Sequence, residues 1–463
     1  MIIILFAGFL LLSMSVALTD WRRGWLMALL CGVLQDPARK LTPGSPVVIT
    51  LSVMAVYAVI LFAALSPLQQ HAREFTRRFG TIYAALIITL LFLVLAAIRG
   101  LFTFGLDGWK APALSFFVYC APIPAVLLGY TWLQREEHLY MLFRFYAAVT
   151  AVALIGTPLE YFDVSSRALG TVSLAEQNIR HLPGLQIRML SGFYRGPDIM
   201  AWHAALLTIV GLVMVLRAKV LRSAWPWMLV TAWGFANCLI SGRRKAVYMV
   251  AVFAVAFLWR YFRRLAAAQI VTFILALGMV VFVVMRIAND EKSSVYARGT
   301  ATSREEIFQR LEGGLLETIS QFGILGGGLG TATQGVHHVA LKNQQLGWQE
   351  GGLGKLAMEL GVPGLLAVAM LLVAMFRNML AISRHPDVEG STQILRCALF
   401  AIVTANVIEF MVSAQAYSDA VLALMTAFFV GCLFASAVLD ERLAAAAPPV
   451  PARPTPLRAP ATA

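Results

Sequence analysis

Long apolar runs recur along the chain and limit what it can fold into more than any other feature. Each run holds about 20 residues with few charges, the length a helix needs to cross a bilayer. Of the whole chain, 59% is hydrophobic and 13% is charged, which is unlike a soluble domain. A backbone in lipid must satisfy its own hydrogen bonds, and the runs do not alternate as barrel strands do. The sequence therefore predicts an all-α, polytopic transmembrane helical bundle.

The apolar runs predict about twelve membrane spans. They lie near 1–18, 46–67, 80–98, 112–132, 139–159, 199–216, 224–241, 245–260, 265–286, 353–376, 394–413 and 418–437. The run 24–35 is too short to cross and is expected to lie at the interface or to re-enter. The first run lacks the basic start of a signal peptide, so it is interpreted as the first span. The transmembrane domain covers 1–443, and the Ala/Pro-rich segment 444–463 is expected to be a disordered cytoplasmic tail.

The distribution of Lys and Arg predicts which loops face the cytoplasm. With a cytoplasmic N-terminus, every inside loop is short and basic, as the positive-inside rule expects. These loops carry Arg73, Arg77, Arg78, Arg135, Arg217, Lys219, Arg222, Arg260, Arg263, Arg264, Arg377 and Arg384. The long loops, about 160–198 and 287–352, then lie together on the outer face. Four cations oppose the rule by lying outside, namely Arg22, Arg23, Arg39 and Lys40. Because topology accounts for most of the net charge of +13, no nucleic-acid partner is expected.

One short outer turn also breaks the charge rule. The stretch SGRRK places Arg243, Arg244 and Lys245 between two spans. A helix beginning near Lys245 would point its free N–H groups and the positive end of its dipole at this turn, which favours an anion there. Guanidinium groups bind phosphate through paired hydrogen bonds. Two interpretations stay open, an anchor in lipid headgroups and a site for an anionic substrate.

The loop 287–352 contains candidate acid–base residues. His337 and His338 follow a glycine run at 323–330, which lacks the Gly-Lys-Ser/Thr ending of a phosphate loop. A histidine can take a proton near neutral pH, so either could deprotonate an acceptor hydroxyl. A loop histidine is also commonly structural or simply exposed.

Charged residues flank the entrance of the next span. Glu350 lies at the entrance, and charges this close to a bilayer are functional candidates. Lys355 and Glu359 share a helix face at i, i+4 and could instead neutralise each other. On the first long loop, Arg195 precedes the helix start Gly-Pro-Asp and would be another outward cation at a helix N-terminus.

No metal or cofactor is expected from the sequence. No metal-ligand spacing surrounds the histidines, and the five cysteines lie in or beside apolar runs without paired spacing. An Asp-x-Asp pair is also missing from the sequence, which disfavours a metal-bound nucleotide-sugar donor.

The order of these motifs resembles the bacterial O-antigen ligase and O-antigen polymerase superfamily. The matching stretches cover about the middle half of the chain and are ISGRRKAVY, SGFYRGPDIMAWHAA, TSREEIFQR, GILGGGLG, the His337-His338 region and EGGLGKLAMELGVPGLL. The family often shows histidine-asparagine ahead of the next span. Here Asn343 follows His338 only after Val-Ala-Leu-Lys, so the resemblance does not decide which histidine corresponds.

The resemblance implies a GT-C-like glycosyltransferase of the bacterial inner membrane, acting at the periplasmic face in lipopolysaccharide or exopolysaccharide biosynthesis. Such an enzyme moves a glycan from a polyprenyl diphosphate, such as undecaprenyl diphosphate, to a glycan or glycolipid acceptor. It implies that Arg243 or Arg244, with Arg195 or Arg304, binds the diphosphate. His337 or His338 would be the acceptor base. Glu350 is a further catalytic candidate, and Lys355 and Glu359 are supporting residues.

The residues themselves suit an inverting, metal-independent transfer. A glycosyl diphosphate leaves as a stable anion, so the enzyme mainly needs fixed positive charge and a base. No obvious nucleophile stands beside the basic cluster, which favours a single displacement. The alternative is a transporter or flippase of an anionic lipid-linked glycan, although no internal repeat is evident. A non-catalytic scaffold of an envelope assembly complex is the third possibility.

Overall fold

The described chain is almost entirely helical. The computed structural model describes residues 2–172, 179–182, 185–218, 220–262, 265, 267–289, 293–299, 314–333, 336, 347, 349–384, 391–439 and 441. Within these residues, eight helices are long and apolar enough to cross a membrane, or nine if one bent helix pair counts as a span. The prediction of an all-α, multi-pass membrane protein is therefore confirmed.

The helices follow one another with short connections. The first group comprises α1 (Ile2–Thr19), α2 (Trp21–Leu41), α3 (Ser52–Ala63), α4 (Leu65–Arg78), α5 (Gly80–Phe104), α6 (Lys110–Cys120), α7 (Pro122–Trp132), α8 (Glu136–Ala153) and α9 (Gly156–Tyr161). An antiparallel hairpin of β1 (Ile179–Leu182) and β2 (Leu185–Arg188) precedes α10 (Pro197–Arg217). The remaining helices are α11 (Leu221–Ile240), α12 (Arg244–Tyr261), α13 (Ala267–Asn289), α14 (Ser294–Gly299), α15 (Gly314–Phe322), α16 (Gly352–Arg384), α17 (Ser391–Val412) and α18 (Ala420–Ser436).

Each predicted apolar run lies on one or two of these helices, but not all pass as spans by themselves. The runs 224–241, 245–260 and 418–437 form α11, α12 and α18, which fall short of the required length or apolarity. The run 46–67 is covered by a helix pair bent by 77° between Val47–Ala63 and Leu65–Arg78.

The segment 24–35 differs from its prediction. It lies inside α2, a 21-residue helix that measures about 30 Å at 1.5 Å per residue. Asp20 alone separates α2 from α1, and its carboxylate caps α2 by accepting hydrogen bonds from the Arg22 and Arg23 N–H groups. The apolar run is interrupted by Gln35 and Asp36, which are both buried by partners from other elements. The segment predicted from hydropathy was therefore shorter than the helix, because polar residues of α2 point into the protein.

The core of the bundle is built around α10 and α18. Most of α10 is buried, as is most of α18, and small residues let neighbouring backbones approach closely. A Cβ atom on Gly431 of α18 would lie 1.9 Å from the Val126 carbonyl oxygen of α7. Close helix contact through small residues is typical of packing in membranes, where dispersion contacts hold helices together.

Contacts between helix ends sort them into two ends of the bundle. At one end, Arg195 just before α10 meets Asp36 near the end of α2 and Asp419 at the start of α18. At the other end, Arg78 of α4 meets Glu441 beyond α18, and Arg217 at the end of α10 meets Glu137 of α8. We call the first the site end, because the starts of α12 and α16 also lie there.

Candidate functional site

The turn between α11 and α12 has a fixed backbone. Gly242 adopts φ of 72°, a left-handed conformation that favours glycine. Ser241 Oγ donates to the Cys238 carbonyl at 2.6 Å and accepts from the Arg243 N–H at 3.0 Å. Arg243 is the N-cap residue and Arg244 the first residue of α12. The expected arrangement of cations at a helix N-terminus is therefore present.

Carboxylates from two other elements hold the outward cations of this turn. Arg243 Nη2 lies 2.8 Å from Asp198 Oδ2 of α10. Lys245 Nζ lies 3.6 Å from Glu350 Oε2, just before α16, and donates to Ser413 Oγ at 2.9 Å. Four segments far apart in sequence thus meet at one place, and we call this group the cation cleft.

The side chains of the turn differ in direction. Arg243 and Asp198 are partly exposed, at 19% and 20% of their side-chain surface. Arg244 is buried at 5%, as expected for adjacent residues that point about 100° apart on a helix. Arg243 and Lys245 line the cleft. Arg244 does not line it, so Arg243 is the arginine positioned to meet a ligand.

The cleft has little internal space. Its cavity has a volume of about 10 Å³, room for about one water-sized sphere. It is lined by Asp198, Ala201, Trp202, Arg243, Lys245, Ala246, Met249, Glu409, Ser413 and Ala416. An anion larger than water can enter this cavity only if the side chains that line it move.

Glu350 stands at the mouth of the cleft. Its side chain is 39% exposed, and its backbone carbonyl accepts a hydrogen bond from the Ala414 N–H at 2.8 Å. A Cβ atom on Gly352 would lie 2.4 Å from the Phe410 carbonyl oxygen, so the start of α16 presses against the end of α17. The backbone at Glu350 is held while its side chain reaches solvent.

Arg195 belongs to a different cluster. Its Nη1 lies 3.0 Å from Asp36 Oδ1 and its Nη2 lies 2.5 Å from Asp419 Oδ2. Asp419 also caps α18 by accepting from the Val421 and Leu422 N–H groups. Burial opposes the charge, but the Asp419 and Asp36 carboxylates outweigh it and raise the pKa of Arg195. Two carboxylates neutralise this guanidinium, which ties α2, α10 and α18 together and lines another cavity.

Glu359 is the acceptor of a dense hydrogen-bond network. The fully buried carboxylate accepts from Tyr119 at 2.6 Å, Thr333 at 2.8 Å and Ser115 at 3.0 Å. It also accepts from the backbone N–H groups of Gly330 at 3.1 Å and Ala332 at 3.3 Å. Glu359 therefore fastens the residues after the glycine run to α6 and α16.

The glycine run supplies backbone hydrogen-bond partners at a break in α16, the helix that it packs against. α16 is broken at Gly361, which has φ of 72° and precedes Pro363 by two positions. Met358 O accepts from the Gly327 N–H at 2.7 Å, and the Val362 N–H donates to Ile324 O at 2.8 Å. These are the two groups that an unbroken helix would have bonded to each other. The glycines serve this backbone docking.

Lys355 does not pair with Glu359 at hydrogen-bonding distance among the described residues. Lys355 is buried, and its Nζ lies 5.7 Å from the Tyr119 ring centroid. Because all five neighbours of the Glu359 carboxylate in this part of the chain are neutral donors, mutual neutralisation by a direct ion pair is not the arrangement found.

An apolar cavity adjoins the cleft across the end of α17. Its volume is about 310 Å³, and its walls come from α5, α6, α7, α16, α17 and α18. Phe410 lines this cavity, whereas its neighbour Glu409 lines the cation cleft. Asn406 at the cavity wall accepts from Trp202 Nε1 and the Tyr417 hydroxyl, both at 2.9 Å. Trp202 lines the cleft, so the two spaces share one hydrogen-bonded partition.

Three predicted site residues lie outside the described residues. These are Arg304, His337 and His338. Of the others, Arg243 lines the cleft and Glu350 pairs with Lys245 of the cleft, while Arg244, Arg195, Lys355 and Glu359 do not line it. Sequence reasoning missed the carboxylate of Asp198 and the hydroxyl of Ser413 as members of this group. A signal for Asp198 was available in the sequence. This carboxylate lies in the first turn of α10, on the same predicted face of the membrane as the cations.

The described residues thus define a multi-pass α-helical membrane protein with a cluster of cations and carboxylates at one end. No protein-family model matches the chain, and no curated protein matches it.

Proposed function

We propose that the protein is a membrane glycosyltransferase that moves a glycan from a polyprenyl diphosphate carrier to a glycan or glycolipid acceptor. The reaction is that of the O-antigen ligase and polymerase superfamily, with a GT-C-like fold in the bacterial inner membrane. The observation that carries the proposal is the cation cleft. Arg243 and Lys245 stand at the N-terminus of α12, where the dipole and free N–H groups also favour an anion.

The charge distribution supports a periplasmic site end. Loops and helix ends opposite the site end carry Arg22, Arg23, Arg73, Arg77, Arg78, Arg135, Arg217, Arg222, Arg260 and Arg384. Basic segments stay in the cytoplasm, which leaves the cleft outside. We infer that α2 crosses the membrane as one span more than the about twelve predicted from the sequence. With this additional span the N-terminus changes from the cytoplasmic to the outer side, and Arg22 and Arg23 change from the outside to the inside, which removes half of the exceptions at the start of the chain.

The apolar cavity supports a lipid-linked donor. Its lining is almost free of charge and lies among helices that qualify as membrane spans, so a hydrocarbon chain is the ligand that suits it. Ligand sites of this class measure about 300–1,000 Å³, and the cavity holds about 310 Å³. A carrier could place its diphosphate at the cleft and its chain across the Asn406 partition.

The chemistry follows from the charges. The acceptor hydroxyl oxygen attacks the anomeric carbon, while the bond from that carbon to the diphosphate oxygen breaks and its electron pair stays on the diphosphate. Arg243 and Lys245 stabilise this developing charge. The hydroxyl proton passes to a base, for which Glu350 is the described candidate and His337 and His338 are the others. The glycan changes carrier with inversion at the anomeric carbon.

A glycan profile of host cells tests the proposal. Cells carrying Arg243→Ala are expected to lose long glycan and to accumulate lipid-linked intermediate on the periplasmic side. Arg188→Ala is the matched control, because Arg188 pairs with exposed Asp163 at the same end of the bundle but does not line the cleft. An unchanged profile in normally expressed Arg243→Ala would refute the transferase. Intermediate trapped on the cytoplasmic side would favour the transporter.

A further inference from the structure

The cations of the cleft are already neutralised by the protein's own carboxylates. Asp198 reaches Arg243 from α10, and Glu350 reaches Lys245 from the segment before α16. The two carboxylates come from separate elements and bind separate cations. The cavity beside Asp198, Arg243 and Lys245 holds about 10 Å³, far less than a phosphate group needs. A diphosphate that enters this cavity must therefore replace the carboxylates.

The surrounding membrane supplies competing anions, which this replacement would discriminate against. The outer leaflet surrounds the site end with phospholipids whose headgroups carry a single phosphodiester charge, and the partly exposed Arg243 would attract them if it were unpaired. A singly charged phosphodiester can replace one carboxylate at most. A diphosphate carries two linked charged groups and can replace both at once, so the second exchange is intramolecular. Groups that repel wrong ligands are a recognised route to specificity.

We propose that Asp198 and Glu350 are exchangeable counter-ions that make the cleft selective for a diphosphate over a single phosphodiester. In the empty protein they hold Arg243 and Lys245 in place and close the cleft to headgroups. The diphosphate displaces both carboxylates and takes their positions. The inference rests on the proposed function, because it assigns the cation cleft to the donor diphosphate and adds the residues that determine its selectivity.

The test measures binding of inorganic pyrophosphate and of dimethyl phosphate, a singly charged phosphodiester, by calorimetry. The full chain is used in nanodiscs of phosphatidylcholine, which carries no net charge. Asp198→Asn and Glu350→Gln keep the shape of each side chain and remove its charge. Both are expected to bind pyrophosphate at least about fivefold more tightly than the wild type, the lower end of typical coupling between linked sites. Both should also bind dimethyl phosphate, which the wild type rejects.

Two controls make the outcome specific. Asp163→Asn removes a carboxylate at the same end that pairs with Arg188 outside the cleft, and it should leave pyrophosphate affinity unchanged. Arg243→Ala should abolish binding in every background. Equal or weaker pyrophosphate binding by both neutralised variants, with binding still lost in Arg243→Ala, would overturn the exchange and leave the proposed function standing. Failure of the wild type and of both neutralised variants to bind pyrophosphate would overturn both.

Discussion

Replacing Glu359 by alanine is expected to destabilise the protein severely. The carboxylate accepts five hydrogen bonds, from Ser115, Tyr119, Thr333 and the backbone of Gly330 and Ala332. Alanine removes the acceptor of three buried donors, Ser115, Thr333 and the Gly330 N–H. Ser115 and Thr333 can hydrogen-bond each other, so at least two buried donors stay unsatisfied. Each such group costs about 1–3 kcal/mol, and the total is about 2–6 kcal/mol, a large part of the stability of many proteins.

The assay is thermal unfolding of the purified protein in detergent, followed by tryptophan fluorescence. Glu359→Gln keeps one acceptor oxygen and the same shape, and should lose much less stability than Glu359→Ala. Ser115→Ala removes one donor and leaves the carboxylate with its other partners, so it should cost only about 1 kcal/mol. A Glu359→Ala variant that unfolds at the wild-type temperature would refute the reasoning, since the buried donors would then have found other acceptors.

Two further predictions concern the bundle. Arg195→Ala should cost about 3–5 kcal/mol of folding free energy, because it leaves the buried Asp36 and Asp419 carboxylates without their cation. Thermal unfolding should show this loss and a smaller loss for Arg195→Lys. Equal stability of the wild type and both variants would contradict the prediction. A cysteine at exposed position Pro43 should react with a membrane-impermeant maleimide added to intact cells, whereas one at Arg23 should not. The opposite labelling pattern would place the cation cleft in the cytoplasm.

The sequence predicted the helical membrane class because that class depends on local hydropathy. It also predicted that SGRRK lies at a helix N-terminus, since Ser241 and Gly242 are turn residues between two apolar runs. The predicted length of α2 was too short, because Gln35 and Asp36 were counted as solvent-facing although their partners lie on distant segments. Hydropathy averages cannot register a polar side chain that another helix satisfies.

The composition of the site was less predictable for the same reason. Arg195 and Arg243 look alike in sequence, since each is an arginine at the start of an outward-facing helix. Their difference arises from what packs beside them. Arg195 meets two buried carboxylates from α2 and α18, whereas Arg243 meets one partly exposed carboxylate from α10. Such a distinction depends on contacts between remote segments, which helix periodicity does not describe.

The exchange of backbone hydrogen bonds between the glycine run and α16 bears on how genetic data for this protein should be interpreted. Under the proposed function, a screen that scores lost glycan would recover Gly328 and Glu359 beside Arg243, and sequence alone would group them as one site. Gly328 lies so close to Gly100 that any Cβ would fall 2.4 Å from its nitrogen. Variants there would fail when the glycine run packs against α5, before any substrate is bound. Protein abundance, measured beside glycan, separates the residues that pack the glycine run from those proposed to bind the donor.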